Sequence, residues 1–107
     1  SINNEVGIEN EHILPISIIL YPNYPNPFNS NTAITFYLSE PEIIDLSVID
    51  VMGNTVKKLM HEKRPVGNSL INWDGTNMMG ESVTSGIYFS LLKVDGRFFK
   101  NKIVLLK

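Results

Sequence analysis

The chain has 107 residues, 43% of them hydrophobic and 19% charged, which is the size and balance of one ordinary globular domain with a single core. It holds no cysteine, which excludes disulfide scaffolds, thiolate zinc sites and cysteine nucleophiles together, and no apolar run approaches the ~18 residues that a helix needs to cross a bilayer. The formal net charge is -2 but unevenly placed: residues 1–56 hold seven acids and no base, and residues 57–107 hold nine bases and four acids.

Residues 1–15 are polar and acidic, with Glu5, Glu9 and Glu11, and are broken by Gly7 and Pro15, the composition of a linker or frayed terminus. A secretory signal peptide would need a basic start, and the first residue is not Met, so the expectation is a piece of a longer protein. ISIIL, Ile16 to Leu20, is β-branched and apolar, a short strand. YPNYPNPFN follows, with Pro22, Pro25 and Pro27 within six residues. Proline fixes φ, removes a donor and biases the residue before it toward extended backbone, so this segment fits a stiff lead-in along an edge and not a central strand.

TAITFYL then alternates Ile34, Phe36 and Leu38 against Ala33, Thr35 and Tyr37, and IIDLSVID alternates Ile44, Leu46 and Val48 against Asp45 and Ser47. This period of two marks strands with one buried face. Gly53-Asn54 signals a turn. TVKKLMHEK, Thr55 to Lys63, is ambiguous, because Val56, Leu59, Met60 and Lys63 recur at helical spacing in a piece too short for a helix; it reads weakly as a strand. A loop is expected over residues 64–68, then a strand SLINW with Ile71 and Trp73 on one face, then a turn-rich connection from Asp74 to Gly86. IYFSLLKV and RFFKNKIVLL flank Asp95-Gly96, a type I′ hairpin signal. Six or seven short strands at regular spacing and no convincing helix argue for an antiparallel β-sandwich over residues 16–107. In such a fold the acidic and basic halves interleave, so opposite signs are expected to meet across strands. Nucleic acid is not an expected partner, since the whole is acidic and no basic stripe with interleaved aromatics stands out.

Chemistry finds few residues to work with. His12 and His61 are the only neutral-pH bases, and neither has a recognisable Ser-Asp arrangement nearby, so two solvated histidines are the simpler reading. Asp74, Asn77 and Glu81 share one glycine-containing loop whose oxygens are a weak calcium candidate. The competing reading is that Asp74 caps its own turn and the glycines supply positive φ. Trp73, Tyr88, Tyr24, Phe28, Phe98 and Phe99 are the aromatic residues from which a sugar platform would be built, although Trp73 shares a face with Ile71 and suits a core better. No cofactor is implied.

In order, NYPNPFN (Asn23 to Asn29) before T-A-I-T-F, VIDVMGNTV (Val48 to Val56), NWDGTNMMGESVTSGIYF (Asn72 to Phe89) and a final KIVLLK resemble the type A C-terminal sorting domain of proteins exported by the bacterial type IX secretion system. The related immunoglobulin-like domain of flagellar hook-capping proteins is similar too. The resemblance covers about residues 20–107, with Ser30 where the family often has Pro, Ile49 where it has an aromatic and Asn77 where it commonly has Asp. It implies an immunoglobulin-like sandwich of about seven strands with no catalytic role. The signature residues are Tyr24, Pro25, Asn26, Pro27, Phe28, Asn29, Gly53, Trp73, Asp74, Gly75, Gly86 and Tyr88. It implies that an outer-membrane translocon reads Lys102, Ile103, Val104, Leu105, Leu106 and Lys107, and that a surface protease and attachment machinery acts near the linker. It further implies an N-terminal cargo domain, and passage through the periplasm to the cell surface or beyond. Two other readings stay open: a carbohydrate-binding or adhesive module, and a structural spacer retained on a secreted multidomain protein.

Overall fold

Alternation in the sequence becomes alternation in burial. The computed structural model describes residues 15–107, and all regular structure among them is strand: β1 (Ile18–Leu20), β2 (Thr32–Leu38), β3 (Glu42–Asp50), β4 (Thr55–Arg64), β5 (Gly67–Trp73), β6 (Gly86–Val94) and β7 (Arg97–Leu105). Two antiparallel sheets result, one ordered β1-β2-β5 and the other β4-β3-β6-β7. In β2, Thr32, Ile34, Phe36 and Leu38 are buried while the residues between them are half-exposed. The inner faces of both sheets supply one core, built from Ile34, Phe36, Leu38, Ile44, Leu46, Val48, Leu92, Val94, Ile103 and Leu105 around Trp73. Burial of some ten aliphatic side chains, at about 1.5–3 kcal/mol each, is the main force holding the sheets together.

The ambiguous segment is β4, and the structure explains its helix-like spacing. Leu46 stands opposite Met60 and Ser47 opposite Lys58; Val48 stands opposite Lys57 and Ile49 opposite Thr55. Leu59 and Val56 are therefore extra residues in two bulges, each of which resets the period of two. The loop expected over residues 64–68 is shorter than the sequence indicated. Arg64 ends β4 and Gly67, at φ +112°, begins β5, so only Pro65 and Val66 cross between the sheets. The hairpin at Asp95-Gly96 has the form expected, with φ +52° and +72°, the paired left-handed conformations of a type I′ turn. The linker reading of residues 1–15 lies outside the described residues apart from Pro15, and so does His12.

Candidate functional site

β7 is the outermost strand of its sheet, a position that leaves a row of main-chain donors and acceptors open. The proline segment closes the last half of that row. Phe28 N–H donates to Val104 O at 2.9 Å and Leu106 N–H donates to Phe28 O at 2.9 Å, forming a one-residue parallel bridge. Neither flanking proline has an N–H to give, and the Asn26 side chain takes over that work. Its Nδ2 donates to Lys102 O at 3.0 Å and its Oδ1 accepts from Val104 N–H at 2.9 Å, so one amide side chain stands in for a strand peptide. The peptides Tyr24–Pro25 and Asn26–Pro27 are cis.

The same segment grips the other sheet. Tyr24 and Ala33 exchange main-chain hydrogen bonds at 3.0 and 2.8 Å. The Phe28 ring is buried in the core with its centroid 5.4 Å from that of Trp73, which in turn meets Tyr88 edge-on at 5.4 Å. Residues 24–28 are thus a strap from β2 to β7 with an aromatic anchor. Further along the same margin, β7 side chains cap the outward carbonyls near β1: Arg97 Nη1 donates to Ile16 O at 2.8 Å and Asn101 Nδ2 to Leu20 O at 2.9 Å.

Within the six C-terminal residues the roles divide sharply. Ile103 and Leu105 are buried core residues, and Val104 is half-buried with both main-chain groups held by the strap. Lys102, Leu106 and Lys107 are exposed. Lys107 is tied to the loop before β6, its N–H donating to Ser85 Oγ at 3.0 Å and its ammonium to Val83 O. Any surface that reads side chains here therefore meets Lys102, Leu106 and Lys107, and not the apolar pattern as a whole.

The Asp74–Gly86 connection sits at the same pole as the strap. Gly75, at φ +76°, turns the chain beneath Phe28 and Leu105. Trp73 Nε1 donates to Thr76 O at 2.9 Å and Tyr88 OH to Thr84 O at 2.7 Å, so the two core aromatics pin the loop by their polar ends. Asp74 Oδ1 accepts from the Thr76 hydroxyl at 2.6 Å and from its N–H at 3.2 Å. That hydroxyl bond above all, aided by the Thr76 N–H and the charge of Lys57 against slight desolvation, holds the Asp74 carboxyl below its ordinary value. Asn77 Oδ1 accepts from Met79 and Glu81 N–H, and its Nδ2 donates to Glu81 Oε1 at 3.2 Å. The Lys57 ammonium lies on Asn77 O at 3.1 Å and on Thr76 Oγ1 at 3.2 Å. The three calcium candidates share a loop, then, but their side-chain oxygens turn inward to the loop's own donors, and a protein cation already sits on it.

The remaining signature glycines close turns. Gly53, at φ +88°, follows an Asp50 whose Oδ1 accepts from Met52 and Asn54 N–H at 2.9 Å, and Gly86 opens β6. Of the aromatic residues considered for sugar stacking, Trp73, Phe28 and Tyr88 are buried, Phe99 is half-buried, and Tyr24 and Phe98 are exposed. Asn29 is exposed, and His61 is exposed with Nδ1 3.7 Å from Asp45. Sequence reasoning kept Phe28 among the candidates for a sugar platform, where the structure buries it, and missed the work of Asn26. The signal was present in Pro-Asn-Pro: an amide side chain between two residues of which neither has a main-chain donor.

The family profile described as FlgD Ig-like domain matches residues 26–94. No curated relative matches the sequence. Among solved structures, dimeric latent PorU from Porphyromonas gingivalis is similar at TM-score 0.70 and 18% identity over 87% of this chain, which spans 10% of that one. The Pseudomonas fluorescens alkylpurine DNA glycosylase AlkC, bound to DNA with an abasic site analog, is similar at TM-score 0.58 and 16% identity over 86% of this chain and 30% of its own. At such identities the likeness is one of fold.

Proposed function

Because the chain belongs to the FlgD Ig-like domain family, we propose that it is a non-catalytic C-terminal sorting module. It directs a larger cargo protein through the outer membrane by the type IX secretion system, for secretion or attachment at the cell surface. The observation that carries this reading is the strap. The two sequence blocks that the resemblance sets at the entry and the end of a sorting domain are joined side by side, Asn26 and Phe28 against Lys102, Val104 and Leu106. A signal read after folding must be a fixed surface and not a linear code, because the side chains of Ile103 and Leu105 are unreachable in the core. The strapped pole offers such a surface: Lys102, Leu106 and Lys107 held in one geometry beside the Asp74–Gly86 loop.

On this reading the partners are the outer-membrane translocon, the surface protease and attachment machinery, and the cargo domain that precedes residue 1. The domain passes through the periplasm and reaches the surface or the medium. Deleting residues 102–107 from the full-length parent is expected to leave the cargo in the periplasm, measured by fractionation and surface labelling. Normal surface display of that truncation would overturn the proposal.

A further inference from the structure

The outer face of the four-stranded sheet sorts charge in a way the sequence does not suggest. Registers place Lys63 beside Ile43; His61, Asp45, Lys93 and Phe98 in one row; Lys58, Ser47, Leu91 and Lys100 in a second; and Ile49, Phe89 and Lys102 in a third. Five lysines from three strands, Lys58, Lys63, Lys93, Lys100 and Lys102, thus share this face, and all are exposed. Among the described residues the register sets one carboxylate there, Asp45, with His61 Nδ1 3.7 Å away. Cross-strand neutralisation on this face is therefore limited to Asp45, opposite Lys93 and His61, because the other described acids of the first half fall elsewhere: Glu40 and Glu42 at the turn between β2 and β3, Asp50 at a turn of its own.

Apolar side chains stand between these lysines. Phe98 is 69% exposed, Ile43 62% and Ile87 44%, while Phe89 and Leu91 are half-buried. Two of the ammonium groups stand over rings, Lys93 Nζ 5.9 Å from the Phe98 centroid and Lys100 Nζ 4.9 Å from that of Phe89. We propose that this face docks on an anionic lipid surface, the ammonium groups meeting phosphate headgroups and Phe98, Ile43 and Ile87 entering the interface between headgroup and acyl chain. Charge complementarity selects the partner: five lysine cations over an area four strands wide, about 15–20 Å, against one carboxylate, match a surface of phosphates. A nucleic acid suits it less, since single strands need free ring faces for stacking and here an ammonium covers one face of each ring. The inference is independent of the sorting role and stands or falls separately from it.

The test uses the chain as it is, with vesicles of phosphatidylcholine alone or with one-third phosphatidylglycerol, read by co-sedimentation at about 0.1 M salt, where screening is modest. Binding to the anionic vesicles alone is expected, with its loss at about 1 M salt, where the screening length falls to about 3 Å. Lys93→Gln with Lys100→Gln should weaken it about tenfold or more. Asn68→Glu with Asn72→Glu, on the exposed outer face of the other sheet, makes the same change in net charge and should leave binding within about twofold, since those charges face away from the lipid. Phe98→Ala should weaken binding while keeping the salt dependence. The blue-shifted emission of buried Trp73 verifies that each variant is folded. Equal binding to neutral vesicles, no binding to anionic ones, equal loss in the two charge variants, or tighter binding to a single-stranded oligonucleotide than to the anionic vesicles would each overturn the proposal.

Discussion

The four-stranded sheet has two margins, and they differ in kind. At β7 the outer main chain is met by directional hydrogen bonds from Asn26 and Phe28, and the strap that makes them is anchored by a ring in the core. At β4 the margin carries two bulges and the charges of Lys58 and Lys63, and the Lys58 N–H meets the sulfur of Met78 at 3.0 Å. Bulges and lysines keep a foreign strand from pairing, but they fix no particular surface. The strap both closes an edge and holds the last residues of the chain in one geometry. On the proposed function, blocking association and presenting a signal are thus separate tasks, carried out on opposite sides of one sheet.

Substitutions can break this contrast, and the largest effect belongs to the anchor. Phe28→Ala removes a buried ring packed on Trp73 and should cost about 3–5 kcal/mol in urea unfolding, whereas Met78→Ala at the β4 margin should stay within about 0.5 kcal/mol. Asn26→Ala comes next, at about 1–2 kcal/mol, since it strips the partners from Lys102 O and Val104 N–H without touching the core. Its sharper readout is hydrogen exchange: the Val104 amide should lose protection while the β4 amides keep theirs. A result in which both margins loosen alike would show that the strap acts only through global stability.

The smallest effect lies in the loop beneath the strap. The Asp74 carboxyl is held low mainly by the Thr76 hydroxyl, so its stabilisation is complete above the ordinary value of 3.8 and fades as pH falls through the lower folded value. Thermal unfolding should show Asp74→Asn less stable than the parent at neutral pH, with the gap closing as pH falls below 3.8 and through the lower folded value. A gap that persists unchanged down to the acid limit of the folded state would move the effect from the carboxylate to the turn geometry.

How far the fold could be read in advance depended on which force set each element. β2, β3 and β6 were legible because burial of one face imposes a period of two, and Trp73 was placed correctly because it shares a face with Ile71. β4 was obscured because bulges at Val56 and Leu59 reset that period, and bulges leave no residue type of their own in a sequence. For the candidate site, the sequence located the two blocks but not their meeting, which joins Asn26 to residues 76 and 78 positions away. Pairing over such a separation follows from topology, and a local pattern carries no trace of it. The lysine face escaped notice for the same reason: Lys58, Lys63, Lys93, Lys100 and Lys102 come together only through register.

The central claim is that the C-terminal strand is read as a strapped folded edge and not as a linear tail. The most direct measurement is the surface display of a reporter cargo joined to this chain carrying Asn26→Ala, compared with the parent and with the deletion of residues 102–107, each domain's folding being checked by Trp73 emission. A folded-edge signal predicts that Asn26→Ala leaves much of the cargo in the periplasm, like the deletion, although every C-terminal residue is intact. Parent-level display of Asn26→Ala, with the deletion still retained inside, would contradict the account and assign the signal to the tail alone.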